Sequence, residues 1–131
     1  MPYLRPPRLV RQVFNPIAMR FGIGGTQALT VAGRVTGVAH RVPVIAVEVD
    51  GAVHLVSPRG EADWGRNLRV AGACRLGPHG DERQWRATEV PVDDRAPIIA
   101  AYRAQAGRAV RSFFEKLPDA ADHPVFRLEP A

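Results

Sequence analysis

The chain has 131 residues, enough for one domain with its own core and no need of cross-links. It carries 18 basic residues against 13 acidic ones, a net charge of +5, and every basic residue except Lys116 is arginine. Its one cysteine, Cys74, excludes an internal disulfide, and no apolar run approaches the length of a membrane span.

Residues 7–21, PRLVRQVFNPIAMRF, read as a helix. Leu9, Val10, Val13 and Phe14 share one face, with Arg8, Arg11 and Gln12 opposite, and Asn15-Pro16 should kink or restart it. This N-terminal helical segment, residues 1–26, is expected to pack across the sheet or to touch a lipid surface with its basic, amphipathic face. The opening stretch has arginines but lacks the apolar centre of a signal peptide, so a cytoplasmic location is expected, with peripheral membrane association as an option.

GIGG then breaks the chain. Residues 27–33 form a strand, GRVTG a turn, and residues 40–50 a longer strand that ends at Asp50-Gly51, a hairpin signal. Residues 52–58 return. Residues 61–71 suit a short helix in which Leu68 lies on the same face as Trp64. Residues 73–79 and 83–91 make another hairpin around Gly80-Asp81. Asp93 or Asp94 should cap a helix over 95–117, with Pro97 in its first turn and an interruption at Gly107. VFRLEP reads as a last strand. The whole is mainly β with helices (α+β): about six antiparallel strands, most readily a small barrel, in a single domain over 1–131.

Dedicated catalytic motifs are missing. There is no dinucleotide fingerprint, no Walker loop and no legible Ser-His-Asp set. The four histidines lack metal-ligand spacing, so no metal is expected. His79 and His123 sit beside turn residues and read as solvated; His54 alternates into a strand face and reads as partly buried. Cys74 reads as a small buried hydrophobe. An enzyme of this composition should let a cofactor carry the hard step. A basic nucleic-acid module is the other class that the charge admits, but aromatics are not interleaved with the arginines and no recognition motif occurs, so no nucleic acid is expected.

Three segments in order, LTVAGRVTGVAHRVPV (29–44), HLVSPRGEADWGRNLR (54–69) and HPVFRLEPA (123–131), resemble the deazaflavin-dependent nitroreductases, actinobacterial proteins with a split β-barrel. The resemblance implies coenzyme F420, a deazaflavin with a phosphate and a polyglutamate tail. It also implies hydride transfer to a nitroaromatic, a quinone or another activated unsaturated acceptor. In the family's G-R-K-[ST]-G turn, cations hold the phosphate and tail. Gly33, Arg34, Thr36 and Gly37 match that turn; Val35 replaces the common lysine, and His40 with Arg41 stands where an arginine follows. His40 and Arg41 should point to opposite faces of their strand. The resemblance places Pro43 beside the ring. It matches Ser57, Trp64, Asn67 and Leu68 to a strand-ending serine and a W-x-x-N-L segment. Arg59 takes the role of a family lysine, Arg66 lies near the tail, and Asn67 serves either the loop backbone or the ligand.

The implied cofactor site is therefore Arg34, Thr36, His40, Arg41, Pro43, Ser57, Arg59, Trp64, Arg66 and Asn67. Ser57 and Tyr102 are the candidate catalytic residues, and Tyr102, Phe113 and Phe114 the candidate acceptor pocket, with one of the two phenylalanines expected in the core because neighbours on a helix point about 100° apart. Trp85 reads as core or interface. The alternative is a split barrel that binds a flavin mononucleotide (FMN) or another ligand without F420 activity. Split barrels often pair across a sheet face, so a homodimer is a further expectation.

Overall fold

A computed structural model describes residues 26–78 and 80–131. The helix expected over 7–21 and the solvated reading of His79 lie outside the described residues. Seven strands form one antiparallel sheet: β1 (Gln27–Ala32), β2 (Ala39–Val44), β3 (Ala46–Val49), β4 (Ala52–Val56), β5 (Ala73–Gly77), β6 (Arg83–Glu89) and β7 (Val125–Pro130). Between them lie helices α1 (Asp63–Ala71), α2 (Ala96–Ala106) and α3 (Arg108–Lys116).

The strand order is β2-β1-β5-β6-β7-β4-β3. Its two outer strands, β2 and β3, are consecutive in the chain and separated by Ile45 alone. The sheet therefore closes on itself at a corner, and the fold is a split β-barrel. The single strand expected over 40–50 is divided there: Val44 still pairs with Gln27 of β1, whereas Ala46 pairs with Leu55 of β4. Pro43 stands just before the corner on the outer strand β2, opposite Ala28, the kind of edge position to which proline is confined within a sheet.

Alternation along the strands sends apolar side chains to two places. Leu29, Val31, Leu55, Cys74, Leu76, Phe126 and Leu128 fill the barrel. Val47, Val56, Val90 and Val125 face outward, where Ile98, Ile99, Tyr102, Val110 and Phe114 of α2 and α3 cover them. Neighbours Leu55 and Val56, or Val125 and Phe126, thus serve different cores, as a period of two requires. Each fully buried Leu or Phe contributes about 1.5–3 kcal/mol. Trp85 packs against the barrel core and its Nε1–H donates to Leu76 O at 3.2 Å. Burial pushes the Cys74 thiol up to about 12, which makes it an inert core residue.

Helix α1 drives Leu68 fully into the barrel with Trp64 beside it, and ends where Gly72 N–H donates to Leu68 O. The expected 95–117 helix is two helices, α2 and α3, broken at Gly107. Neither Asp93 nor Asp94 caps α2. Both belong to a 3-10 turn (Val92–Asp94), and Arg95 precedes the helix with no side-chain cap. His123 is not solvated: it is fully buried, with Nδ1 2.9 Å from Ser57 O and Nε2 2.6 Å from Leu117 O, and it stacks on Phe114 at 4.3 Å. Its neighbour Pro124 leads straight into β7, a central strand, so the turn it belongs to is an interior one. Among the described residues no helix is long and apolar enough to cross a membrane.

Candidate functional site

Two hollows meet at Trp64. The first is a groove of about 580 Å³ along the β1–β2 turn and the start of α1, lined by Arg34, Thr36, His40, Arg41, Asp63, Trp64 and Asn67 among others. The turn that shapes it is closed by Gly33 N–H to Val38 O (2.8 Å) and Gly37 N–H to Gly33 O (2.9 Å). A side chain at Gly33 would come within 3.0 Å of the His40 ring, so the glycine is what lets that imidazole lie across the turn. Asn67 reaches over from α1: its Oδ1 accepts from the Arg34 backbone N–H (3.1 Å) and from Arg34 Nη1 (2.8 Å). It thereby orients the guanidinium. His40 and Arg41 point to opposite faces yet both line the groove, because it wraps over an outer strand. Arg41 is paired with Glu82. Val35, at the tip of the turn, is exposed.

The second hollow is a cavity of about 250 Å³ walled by Pro43, Val44, Ile45, Val56, Trp64, Val110 and Phe113, with Thr26, Ser57, Arg59 and Tyr102 as its polar members. The Arg59 guanidinium lies 4.2 Å over the Phe113 ring. Tyr102 is 3% exposed, and burial raises its phenol above the ordinary value while nearby Arg59 opposes the rise. It stays protonated at any physiological pH. The Thr26 hydroxyl is buried without a hydrogen-bond partner among the described residues.

The loop of residues 57–62, which carries Arg59 to this cavity, is held from behind by polar groups, Ser57 itself and others that do not line the cavity. Ser57 N–H donates to Pro124 O (2.9 Å), its hydroxyl to Gly60 O (2.6 Å), and its carbonyl receives His123. Glu61, 5% exposed, accepts from Arg69 Nη1 at 2.6 Å. Arg69 also grips Glu89 with Nε (2.7 Å) and Nη2 (2.8 Å). Arg95 completes the ring: it donates to Glu89 Oε2 and to the carbonyls of Val90, Ala120 and His123. These bonds raise the Arg69 guanidinium further above its ordinary value, through Glu89 first and Glu61 second.

Eleven of the site residues expected from the sequence are brought to the two hollows: Arg34, Thr36, His40, Arg41 and Asn67 to the groove, Pro43, Ser57, Arg59, Tyr102 and Phe113 to the cavity, with Trp64 common to both. Two are not. Phe114 is core, stacked on His123 and tilted against Tyr102, because the 100° step along α3 turns it away from Phe113. Arg66 lines neither hollow; it lies one turn along α1 from Asp63, at 4.0 Å. Ser57 is at the cavity, but its side chain is fully buried and its proton is committed to Gly60. Sequence reasoning missed Thr26, Asp63 and the Glu61–Arg69–Glu89–Arg95 chain. Asp63 had a signal, since it precedes Trp64 at the start of a helix.

Fold and site together define a split β-barrel with an arginine-faced groove running into an apolar cavity. Residues 8–114 match the model of the F420H(2)-dependent quinone reductase family, and the chain belongs to that family. No curated protein matches the sequence. Among solved structures, a protein of unknown function from Agrobacterium tumefaciens is 22% identical with a TM-score of 0.59; the match covers 99% of this chain and 57% of that one, so the chain spans little more than half its length. The heme storage protein of Vibrio cholerae is 15% identical with a TM-score of 0.58, covering 98% of this chain and 92% of that one. An F420-H2 dependent reductase is 20% identical with a TM-score of 0.47, covering 79% and 93%. At these identities the first two likenesses speak for the fold alone.

Proposed function

We propose that the chain is an F420-dependent oxidoreductase that holds the deazaflavin ring in the Pro43–Trp64–Tyr102 cavity and the phosphate-bearing tail in the Arg34 groove. The observation that carries this reading is that Trp64 lines both hollows. A ligand with an apolar ring and an anionic extension needs two such compartments in continuity. Their joint volume falls in the range of about 300–1,000 Å³ usual for cofactor sites. The Thr26 hydroxyl in the cavity wall, without a partner among the described residues, also fits a ring with polar edges.

When bound, the reduced coenzyme supplies a hydride, which an acceptor such as a quinone or a nitroaromatic would take. The chain's own residues supply the setting. Val44, Ile45, Val56, Val110 and Phe113 exclude water from the cavity. Arg59, fixed over Phe113, places positive charge where an acceptor oxygen gains electrons. Tyr102 keeps its proton and can donate it, or a hydrogen bond, to that oxygen. Ser57 holds the loop, since its own proton is spent on Gly60.

Fluorescence titration with coenzyme F420, on the protein and on Arg34→Ala and Arg59→Ala, tests the reading. Binding should weaken about tenfold in each variant, the loss of one charge-assisted contact. Unchanged affinity in both variants would refute the placement. Tight binding of FMN with none of F420 would instead establish the flavin alternative.

A further inference from the structure

The groove proposed for the anionic tail contains a carboxylate. Asp63 lines it, with its side chain 79% exposed, and its Oδ1 lies 3.5 Å from Arg34 Nη2. The other end of the same guanidinium donates to Asn67 Oδ1 at 2.8 Å. Asp63 and Asn67 are one turn apart on α1, so the helix grips Arg34 at both ends. The second guanidinium of the groove, Arg41, faces the carboxylate of Glu82. The position where the family commonly has lysine is the uncharged Val35. The two arginines that line the groove thus each face a carboxylate, of which Asp63 also lies 4.0 Å from Arg66 outside the lining, and this is an unusual setting for a compartment meant to take several negative charges.

Resting on the cofactor reading above, we propose that Asp63 is a specificity-determining residue of the tail groove. It leaves Arg34 able to meet one phosphate-type anion and disfavours each additional carboxylate, so the chain selects the coenzyme with a short tail over forms with a long polyglutamate tail. A single phosphate displaces Asp63 from Arg34 and gains a stronger charge-assisted bond than it breaks. Further carboxylates meet Asp63 without a new unmatched cation in the groove lining, and at such short range the repulsion is screened little at moderate salt.

The test is equilibrium binding, read by deazaflavin fluorescence at about 50 mM and about 500 mM salt. The probes are the coenzyme without glutamates and the coenzyme with a long polyglutamate chain. The proteins are the wild type, Asp63→Asn, and Glu115→Gln as a remote control that removes one negative charge from an exposed pair on α3. The wild type should bind the long form no more tightly than the short one. Asp63→Asn should bind the long form about three- to tenfold more tightly, a surface-charge effect of ordinary size. Its gain on the short form should be smaller, and both gains should shrink at high salt. Glu115→Gln should change neither. An equal gain on both forms, or a loss on the long form, overturns the assignment to Asp63 while leaving the cofactor reading intact. Failure of the wild type to bind either form overturns both.

Discussion

Arg69 Nη1 sits 2.6 Å from Glu61 Oε1, and this contact ties the loop of Arg59 to the last turn of α1 and, through Glu89, to β6. Glu61 is 5% exposed and its other oxygen has no hydrogen-bond partner among the described residues. Without Arg69 that carboxylate would be a buried, uncompensated charge. Arg69→Met is therefore expected to destabilise the fold by about 3–5 kcal/mol in urea unfolding, the cost of breaking a buried pair from one side. A change below about 1 kcal/mol would show that the pair is no more than an ordinary surface bridge.

The same ion chain sets an acid limit. The hydrogen bond from Arg69 holds the Glu89 carboxyl below its ordinary value, with burial opposing. The folded state thus binds the Glu89 proton less readily than the unfolded state does. Stability from this residue is complete above the unfolded carboxyl range, about pH 4.5, and is lost as pH falls through the folded value. Glu89→Gln should be less stable than the wild type at pH 7, and the difference should narrow as pH drops below the unfolded carboxyl value of about 4.5. A difference that stays constant from pH 7 to pH 3 would contradict the linkage.

Local signals were legible in the sequence, and long-range polar partners were not. Asp50-Gly51 marked a hairpin and Gly107 a helix break, because each depends on residues a few positions apart, whereas the GRVTG and WGRNL segments, which line one groove, were linked only through the family resemblance. The division of residues 40–50 at Ile45 was hidden, since a strand that leaves β1 for β4 keeps its alternation while it changes partner. His123 looked like a turn residue because its two acceptors, Ser57 O and Leu117 O, belong to other elements. Arg95, 6% exposed, resembled any arginine at a helix start until the carbonyls of Ala120 and His123 came within its reach.

Tyr102 separates activity from stability. Its hydroxyl has no hydrogen bond among the described residues, whereas its ring packs on Phe114 at 6.2 Å. Tyr102→Phe should keep that packing and change stability by less than about 0.5 kcal/mol. Turnover of a quinone with the reduced coenzyme should fall roughly ten- to a hundredfold if the phenol donates to the acceptor, with coenzyme affinity preserved. An unaltered kcat/KM would remove Tyr102 from the chemistry and leave Arg59 as the cavity's remaining charged donor.

Gly107 connects the cavity to backbone geometry. It joins α2 to α3 at φ 63° and ψ −136°, a conformation that side chains with a Cβ strongly disfavour. No atom lies within 4 Å of where its Cβ would be, so the cost of a substitution is conformational and not steric crowding by neighbours. Gly107→Ala should lower stability by about 1–3 kcal/mol. Asparagine, which tolerates the left-handed helical region but not this value of ψ, should give no rescue. The alternative to paying that cost is rotation of α3, which brings Ala109, Val110 and Phe113 to the cavity. The variant should therefore also weaken ring binding, measured by titration below its melting temperature. If alanine is tolerated in both stability and binding, the α2–α3 joint is not what sets the position of Phe113.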